Sequence, residues 1–580
     1  MLFFCIFIYT LMPNLTYVVH KKWIVLWACF LCLGWLLPNH ALPWPAFHHD
    51  AWTALASSIA AAPLFFRTKG AWAMPKAGLF SGLAVCIALV QWGIGLIPLA
   101  GHAWMSVAYL AGFFIVLVCA ARWEASAPGD LLDGLFVALG IAALLSVWIQ
   151  LRQWYVLDNG WEWWSMGGEA IRPAANLGQP NQAATFLCLA LGAVAWGAWR
   201  RQIHWPTGLL AAAYLLFGIA LTGSRTAWLG LTLVVFAVWY WRRMWPDART
   251  PWFISGLFCY LALCVVSLQW HASGGSAISS GSAMQRWEIW GLCWDALRAA
   301  PWAGYGWYQT ALAELRALDL RTTGFGPFNS AHNLFFDLLL WCGIPLGGIL
   351  CIVILVWVTR RFLSVKTPDQ AILLLLVLLV LNHSMLEYPL HYAYILLPVG
   401  WLVGALEVRM GGDVRNWLKV PRAVVVVLYL FATSLLALII ADYFPVEDAY
   451  RSMRLQRAGF QAAPWTTPDA LVITHMSRHI EMVRAPTTRR LSDAELLERE
   501  NLTEVFPESH AMFYLAASEA LNHRPEQAVL WLQRYCKLMP ASGCFNAAKD
   551  WAKSGVAHPE IAAIAWPVKF DKTPQDNPPQ

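Results

Sequence analysis

Several short segments of this chain gather side chains that can hold an anion and move a proton. IRPAANLGQPNQAATFL, starting at Ile171, brings Arg172, Gln179, Asn181 and Gln182 to the front of an apolar block. TGSRTAW sets Arg225 between two apolar blocks, and QRWEIW carries Arg286 and Glu288. SAHNLFFDLLLWCGIP opens another block with His332, Asn333 and Asp337, and LNHSMLEYPLHYAY supplies His383, Glu387, Tyr388, His391 and Tyr392. An arginine fork bonds phosphate oxygens in pairs and stays protonated. A neutral imidazole takes a proton near neutral pH.

Each of these residues also has a plainer use. Pro180 and Asn181 suit a polar helix entry, with Asn181 as its cap. Arg225 suits an interfacial anchor, and Arg286 with Glu288 a solvated pair. A histidine at a block boundary is ordinarily an interfacial or capping residue. Three features raise His332 above that: Asp337 lies about a turn and a half further along the same expected helix, arginines share its face, and that face is extracytoplasmic. The spacing of His383 and Glu387 puts both on one helical face. No G-x-x-x-x-G-K-[ST] phosphate loop is present, no acidic pair suits a metal-bound diphosphate, and no Cys/His cluster has zinc spacing. The expected chemistry uses no cofactor and no metal.

The elements that must position these residues are membrane helices. The chain of 580 residues is 59% hydrophobic and 13% charged, where soluble domains carry about 25% charged residues. A helix needs about 20 apolar residues to cross the hydrocarbon layer, and blocks of that size place spans near 23–39, 50–66, 77–97, 103–121, 131–150, 182–199, 207–222, 226–241, 252–270, 333–358, 369–386, 392–408 and 420–441. The expected class is all-α, a polytopic helix bundle. Residues 1–22 are left unassigned, as an extra span, a signal-like stretch or neither. With Lys21 and Lys22 cytoplasmic, 18 basic residues fall on that side of the spans and seven on the other: Arg152, Arg172, Arg225, Arg286, Arg298, Arg316 and Arg321. The positive-inside rule therefore sends the loops around 151–181 and 271–332 outward, with the tail from 442.

Within the second loop, Met284, Trp287, Trp294 and Leu297 are spaced to share one helical face on the membrane surface. In the tail, residues 511–540 read as two amphipathic helices with a turn at Asn522 to Pro525, a tetratricopeptide-like unit inside a small helical domain. Cys536 and Cys544 stand together in this polar region and would bridge in an oxidising compartment. The reading is of a transmembrane domain over 23–441, including the loop 271–332, and a helical domain over 442–580.

The ordered set LGQPNQAATF, TGSRTAW, QRWEIW, PWAGYGW, SAHNLFFDLLLWCGIP and HSMLEYPLHYAYILLPVGWLVGAL resembles the bacterial pilin-type protein O-oligosaccharyltransferases, relatives of the O-antigen ligases and polymerases. The resemblance implies transfer of a glycan from undecaprenyl diphosphate to a Ser or Thr hydroxyl of an exported protein, on the periplasmic face of the inner membrane, without ATP or metal. It makes His332 the essential periplasmic histidine. Arg225 and Arg286, with Arg172 as a third, match arginines that hold the diphosphate. Gln179, Asn181, Asn333, Asp337, Glu387, Tyr388 and His391 are read as positioning residues. Two alternatives stand: an O-antigen ligase or polymerase with a glycan or lipid A acceptor, and a transporter of lipid-linked sugar. The transporter would require charges at the bilayer midplane and inverted halves, and neither is visible.

Overall fold

The computed structural model describes residues 18–67, 70–157, 165–166, 171–272, 281–411, 417–460, 466–484 and 490–570. Residues 1–17 of the unassigned N-terminal segment lie outside them. Among the described residues, nine helices precede the long loop: α1 (Val18–Leu33), α2 (Phe47–Arg67), α3 (Lys76–Gly93), α4 (Ala100–Ser126), α5 (Asp130–Trp154), α6 (Pro180–Trp199), α7 (Trp205–Thr222), α8 (Arg225–Tyr240) and α9 (Thr250–Ala272). The loop carries α10 (Gly281–Ala299) and α11 (Thr310–Ala317). Then come α12 (Leu334–Leu363), α13 (Pro368–Ser384), α14 (Ala393–Met410) and α15 (Arg422–Arg457). The tail holds α16 (Thr474–Arg484), α17 (Asp493–Val505), α18 (Ser509–Leu521), α19 (Pro525–Leu538), α20 (Ala541–Ala557) and α21 (Pro559–Ala562).

Every expected span coincides with one of α1 to α9 or α12 to α15. Among the described residues, nine helices are long and apolar enough to cross a bilayer, and α1, α8 and α13 add shorter apolar helices. The protein is an all-α, multi-pass membrane protein. The strands found among the described residues, β1 (Trp72–Met74) and β2 (Leu418–Val420), pair antiparallel with Trp72 opposite Val420.

The chain divides into two compact units. The first comprises Met1–Val85, Ala108–Ser276 and Val356–Ala437. Its core is built on Trp27, Trp35, Trp196, Trp401 and Phe186, all fully buried. Small residues let membrane helices touch: a Cβ on Gly404 of α14 would stand 2.2 Å from the carbonyl oxygen of Leu117 in α4. The buried carboxylate of Glu407, in the last turn of α14, accepts from Arg361 and from the Trp357 indole at 2.9 Å. Arg409 pairs with Glu124 at 2.6 Å and with Asp369 at 2.5 Å, and Arg200 with Asp133 at 2.9 Å. A carboxylate buried in this way needs its cation, because an unpaired charge there is strongly disfavoured.

The second unit comprises Cys86–Val107, Ala277–Leu355 and Leu438–Gln580. Its α12 is broken at Gly343, which takes φ 72° and ψ 171°. Segment 301–306, PWAGYG, fills the break with backbone pairs: Tyr305 N to Leu340 O at 2.8 Å, Gly306 N to Trp341 O at 3.1 Å and Ile344 N to Pro301 O at 2.7 Å. Gln91 of α3 completes it, donating to Trp341 O and accepting from Trp307 N, both at 2.8 Å. Backbone groups released inside a span must find such partners, since lipid offers none.

On α10 the buried stripe is Ile289, Cys293, Ala296 and Leu297, while Trp287 is 70% and Trp294 46% exposed. Both tryptophans thus share an outward face as expected, while Leu297 is corrected to the buried side, where the helix packs on Ile289, Cys293 and Ala296. The Met284 side chain lies outside the described residues. In the tail, α18 and α19 meet at the expected turn around Trp531 and Met512, both fully buried.

A Cβ on Gly343 would stand 2.3 Å from Trp302 O, in a backbone region open in practice only to glycine. Gly343→Ala should lower the melting temperature of the purified protein by roughly 5 °C or more, measured by fluorescence melting. Gly348→Ala, with open space around it, is the control expected to melt with the wild type.

Candidate active site

In the second unit the residues expected to act together do meet, by a route different from the expected one. α12 begins only at Leu334. His332 stands before it with φ 52°, in the left-handed region. Asp337 is therefore not on the same helix as His332. It reaches back to the turn instead. Its Oδ1 accepts from Ala331 N at 2.9 Å and from the Thr310 hydroxyl at 3.0 Å, and its Oδ2 from the Ser330 hydroxyl at 2.7 Å. Ser330 Oγ in turn accepts from His332 N at 3.0 Å. Asn333 caps α12, its Oδ1 accepting from Phe335 N at 3.0 Å and Phe336 N at 3.1 Å. Trp341 donates to Thr310 Oγ1 at 2.8 Å, which fixes the hydroxyl that Asp337 receives.

The imidazole itself is oriented by Ser330 O, 3.1 Å from Nδ1. A carbonyl only accepts, so Nδ1 carries the proton and Nε2 is the basic atom of the neutral ring. His332 is half-buried. Trp290 of α10 donates to Ala331 O at 3.0 Å. Arg286 precedes Trp290 by four residues and so shares its helical face, on the side that reaches the histidine turn. Nearby in the fold, burial pushes the Glu314 carboxyl well above its usual range, and its Oε2 accepts from Phe328 N at 3.0 Å.

In the first unit, TGSR is a turn with a reason for each residue. Gly223, at φ 61°, ends α7, and Ser224 starts α8 by accepting from Ala227 N at 3.4 Å. Arg225 is thereby fixed as the first, exposed residue of α8. Arg172 donates through Nε to Thr222 O at 2.9 Å, one of the carbonyls a helix end leaves over, and through Nη2 to Asn181 Oδ1 at 3.4 Å. Asn181 continues to Glu387 Oε1 at 3.3 Å. Arg172, Asn181 and Glu387 are thus joined, and Arg172 touches the turn that carries Arg225.

Two expectations here are corrected. The cap of α6 is Gln179, whose side chain accepts from Gln182 N at 2.7 Å, with Pro180 in the first turn. Asn181 is two residues too late to cap and points to Arg172 and Glu387. Likewise α13 ends at Ser384, so Glu387 sits in the following turn. Pro389 excludes helical backbone at Tyr388, which takes φ −125°. His391 lies in the short turn Pro389–His391, its ring 5.4 Å from that of Tyr388.

Sequence reading missed Ser330, Thr310, Trp290 and Gln91. The first two carry no pattern of their own, and only a buried acceptor opposite them gives them a task. His383, at 2.6 Å from the Thr185 hydroxyl, is fully buried, in keeping with a packing role.

Comparison with known proteins bears on this arrangement. Residues 210–351 match the O-antigen ligase family model, and 371–552 that of the virulence factor membrane-bound polymerase C-terminal region. The chain is 31% identical over 526 residues to a general O-oligosaccharyltransferase of Acinetobacter baylyi, covering 87% of this chain and 90% of the relative. The chain belongs to the O-oligosaccharyltransferase family. A ComP-specific O-oligosaccharyltransferase of the same organism is 31% identical over 247 residues, 41% of this chain and 44% of that enzyme. No solved structure matches. The protein is therefore a glycosyltransferase that acts by oligosaccharide transfer.

The acceptor-only carboxylate of Asp337 cannot be copied by an amide. In Asp337→Asn an NH2 group faces Ser330, Thr310 or Ala331 N, and the hydrogen-bond chain to His332 is broken. Transfer should fall by about tenfold to a hundredfold, read as initial rate of acceptor glycosylation. Glu314→Gln keeps a side-chain oxygen that can accept from Phe328 N, and should retain most of the rate.

Proposed function

We propose that this transferase moves an oligosaccharide from undecaprenyl diphosphate to a Ser or Thr hydroxyl of an exported protein such as a type IV pilin, on the periplasmic side of the inner membrane and without metal or nucleotide. The observation that carries this reading is the His332 turn, in which the Ser330 carbonyl fixes the Nδ1 proton and makes Nε2 the base. In the step, the acceptor oxygen attacks the anomeric carbon as its proton passes to Nε2. The bond from that carbon to the diphosphate breaks, and its electron pair leaves with the phosphate. A single displacement of this kind inverts the anomeric carbon.

Arg225, Arg286 and Arg172 are assigned to the departing diphosphate, whose charge grows in the transition state and is bonded better there than in the bound substrate. Asn333 and Asp337 position the base. Gln179, Asn181, Glu387, Tyr388 and His391 position substrate or the arginine that does so. The basic-residue count supports a periplasmic site. The Cys536–Cys544 disulfide agrees with it, since such bonds persist in oxidising compartments. The likeness to an enzyme named for ComP favours a protein acceptor. The O-antigen ligase match over 210–351 favours, as the second reading, a glycan or lipid A acceptor for the same chemistry.

Expression in a glycan-competent host without its own transferase, with a pilin as acceptor, tests this. His332→Ala should lower glycosylation, measured by intact-protein mass spectrometry, by about a hundredfold or more. Unchanged pilin glycosylation would remove His332 from the chemistry. Arg286→Lys keeps the charge and loses the fork, and should cost roughly tenfold; a fully active variant would make Arg286 an anchor.

A further inference from the structure

We propose that the last turn of α19, held by the Cys536–Cys544 disulfide, positions the loop that delivers His332, so that turnover depends on a bond in the tail. The inference rests on His332 being the base. Residues 318–332 have no helix or strand of their own, so their backbone amides must find partners in other elements or in turns.

The loop is attached to the tail at its start. Leu315 and Leu318 are fully buried in one core with Trp531, Leu532 and Leu538. Arg316 pairs with Glu504 at 2.7 Å and Arg534 with Asp319 at 3.3 Å. Lys537 Nζ donates to Leu318 O at 2.8 Å. Next, the carbonyls that α19 leaves over at its end accept the loop's amides. Lys537 O accepts Thr323 N at 2.9 Å and Gly324 N at 3.0 Å, and Leu538 O accepts Gly326 N at 2.9 Å. Glu314 then takes Phe328 N, Asp337 takes Ala331 N and Ser330 takes His332 N. The amides of 323, 324, 326, 328, 331 and 332 thus pass in sequence from partners in the tail to partners in the histidine turn.

Cys536 lies in that same last turn of α19, and Cys544 in the first turn of α20. The bond closes a separation of eight residues across the junction. Helix ends fray unless they are tied, and this tie is applied where the loop is attached. Opening it loosens the carbonyls of Lys537 and Leu538, and the loop loses the partners of its Thr323, Gly324 and Gly326 amides. The base then wanders from its geometry, while the groups assigned to donor binding keep theirs.

The test compares full-length wild type with Cys536→Ser/Cys544→Ser in detergent, by amide hydrogen exchange and by transfer kinetics. Exchange over 323–332 should quicken at least about tenfold. The kcat should fall roughly tenfold to a hundredfold, with KM for donor and acceptor little changed. Lys537→Met, which keeps the disulfide and loses only the ammonium contact, should move both readouts the same way by less. If the double variant does not accumulate, wild type treated with a dithiol serves. The dithiol closes to its cyclic disulfide as the protein bond takes up two electrons and two protons. Unchanged exchange over 323–332 overturns the proposal, and so does faster exchange at unchanged kcat, whatever happens to the melting temperature. The exchange arm needs no activity, so inactivity of His332→Ala and wild type alike would count against the functional reading and leave the loop's attachment decided on its own.

Discussion

The carboxylate of Asp337 sits buried with three donors around it, and the geometry of the His332 turn follows from satisfying it. A buried carboxylate without partners is among the costliest groups a fold can hold. Here the donors come from α11 and from the two residues just before His332, so neutralising the cost and shaping the turn are one event. The left-handed backbone of His332 is tolerated because the surroundings over-determine it. Asn333 closes the arrangement by capping α12.

How much of this was readable in advance depended on the range of the forces involved. The spans were legible because bilayer thickness imposes a length on each apolar block, and that constraint is local. The TGSR turn was legible for a similar reason, with a glycine to stop one helix and a serine to start the next. The relation of His332 to Asp337 was read as a helical spacing and proved to be a turn closed by side chains. That outcome depended on Thr310 and Trp341, which no local pattern connects to the histidine. Asn181 looked like a cap because it follows a proline, yet the Gln179 side chain took that task and left Asn181 to Arg172 and Glu387. The i, i+4 spacing of His383 and Glu387 suggested one helical face, yet α13 ends at Ser384 and leaves Glu387 in the turn before Pro389.

The two ends of the first unit illustrate different uses of arginine. Arg200, Arg361 and Arg409 are matched to the buried carboxylates of Asp133, Glu407 and Glu124 and the half-buried one of Asp369, which makes them fasteners. Arg172 instead bonds a helix-end carbonyl and the side chain of Asn181.

The break in α12 also has an order in time. Its partners, Gln91 and residues 301–306, precede Gly343 in the chain, so during synthesis the filler exists before the gap it fills. The loop before His332 is the reverse case. Its amides wait for Lys537 and Leu538, which leave the ribosome about two hundred residues later. A nascent chain therefore completes its broken span early, and its histidine turn becomes fully attached only once α19 has been made.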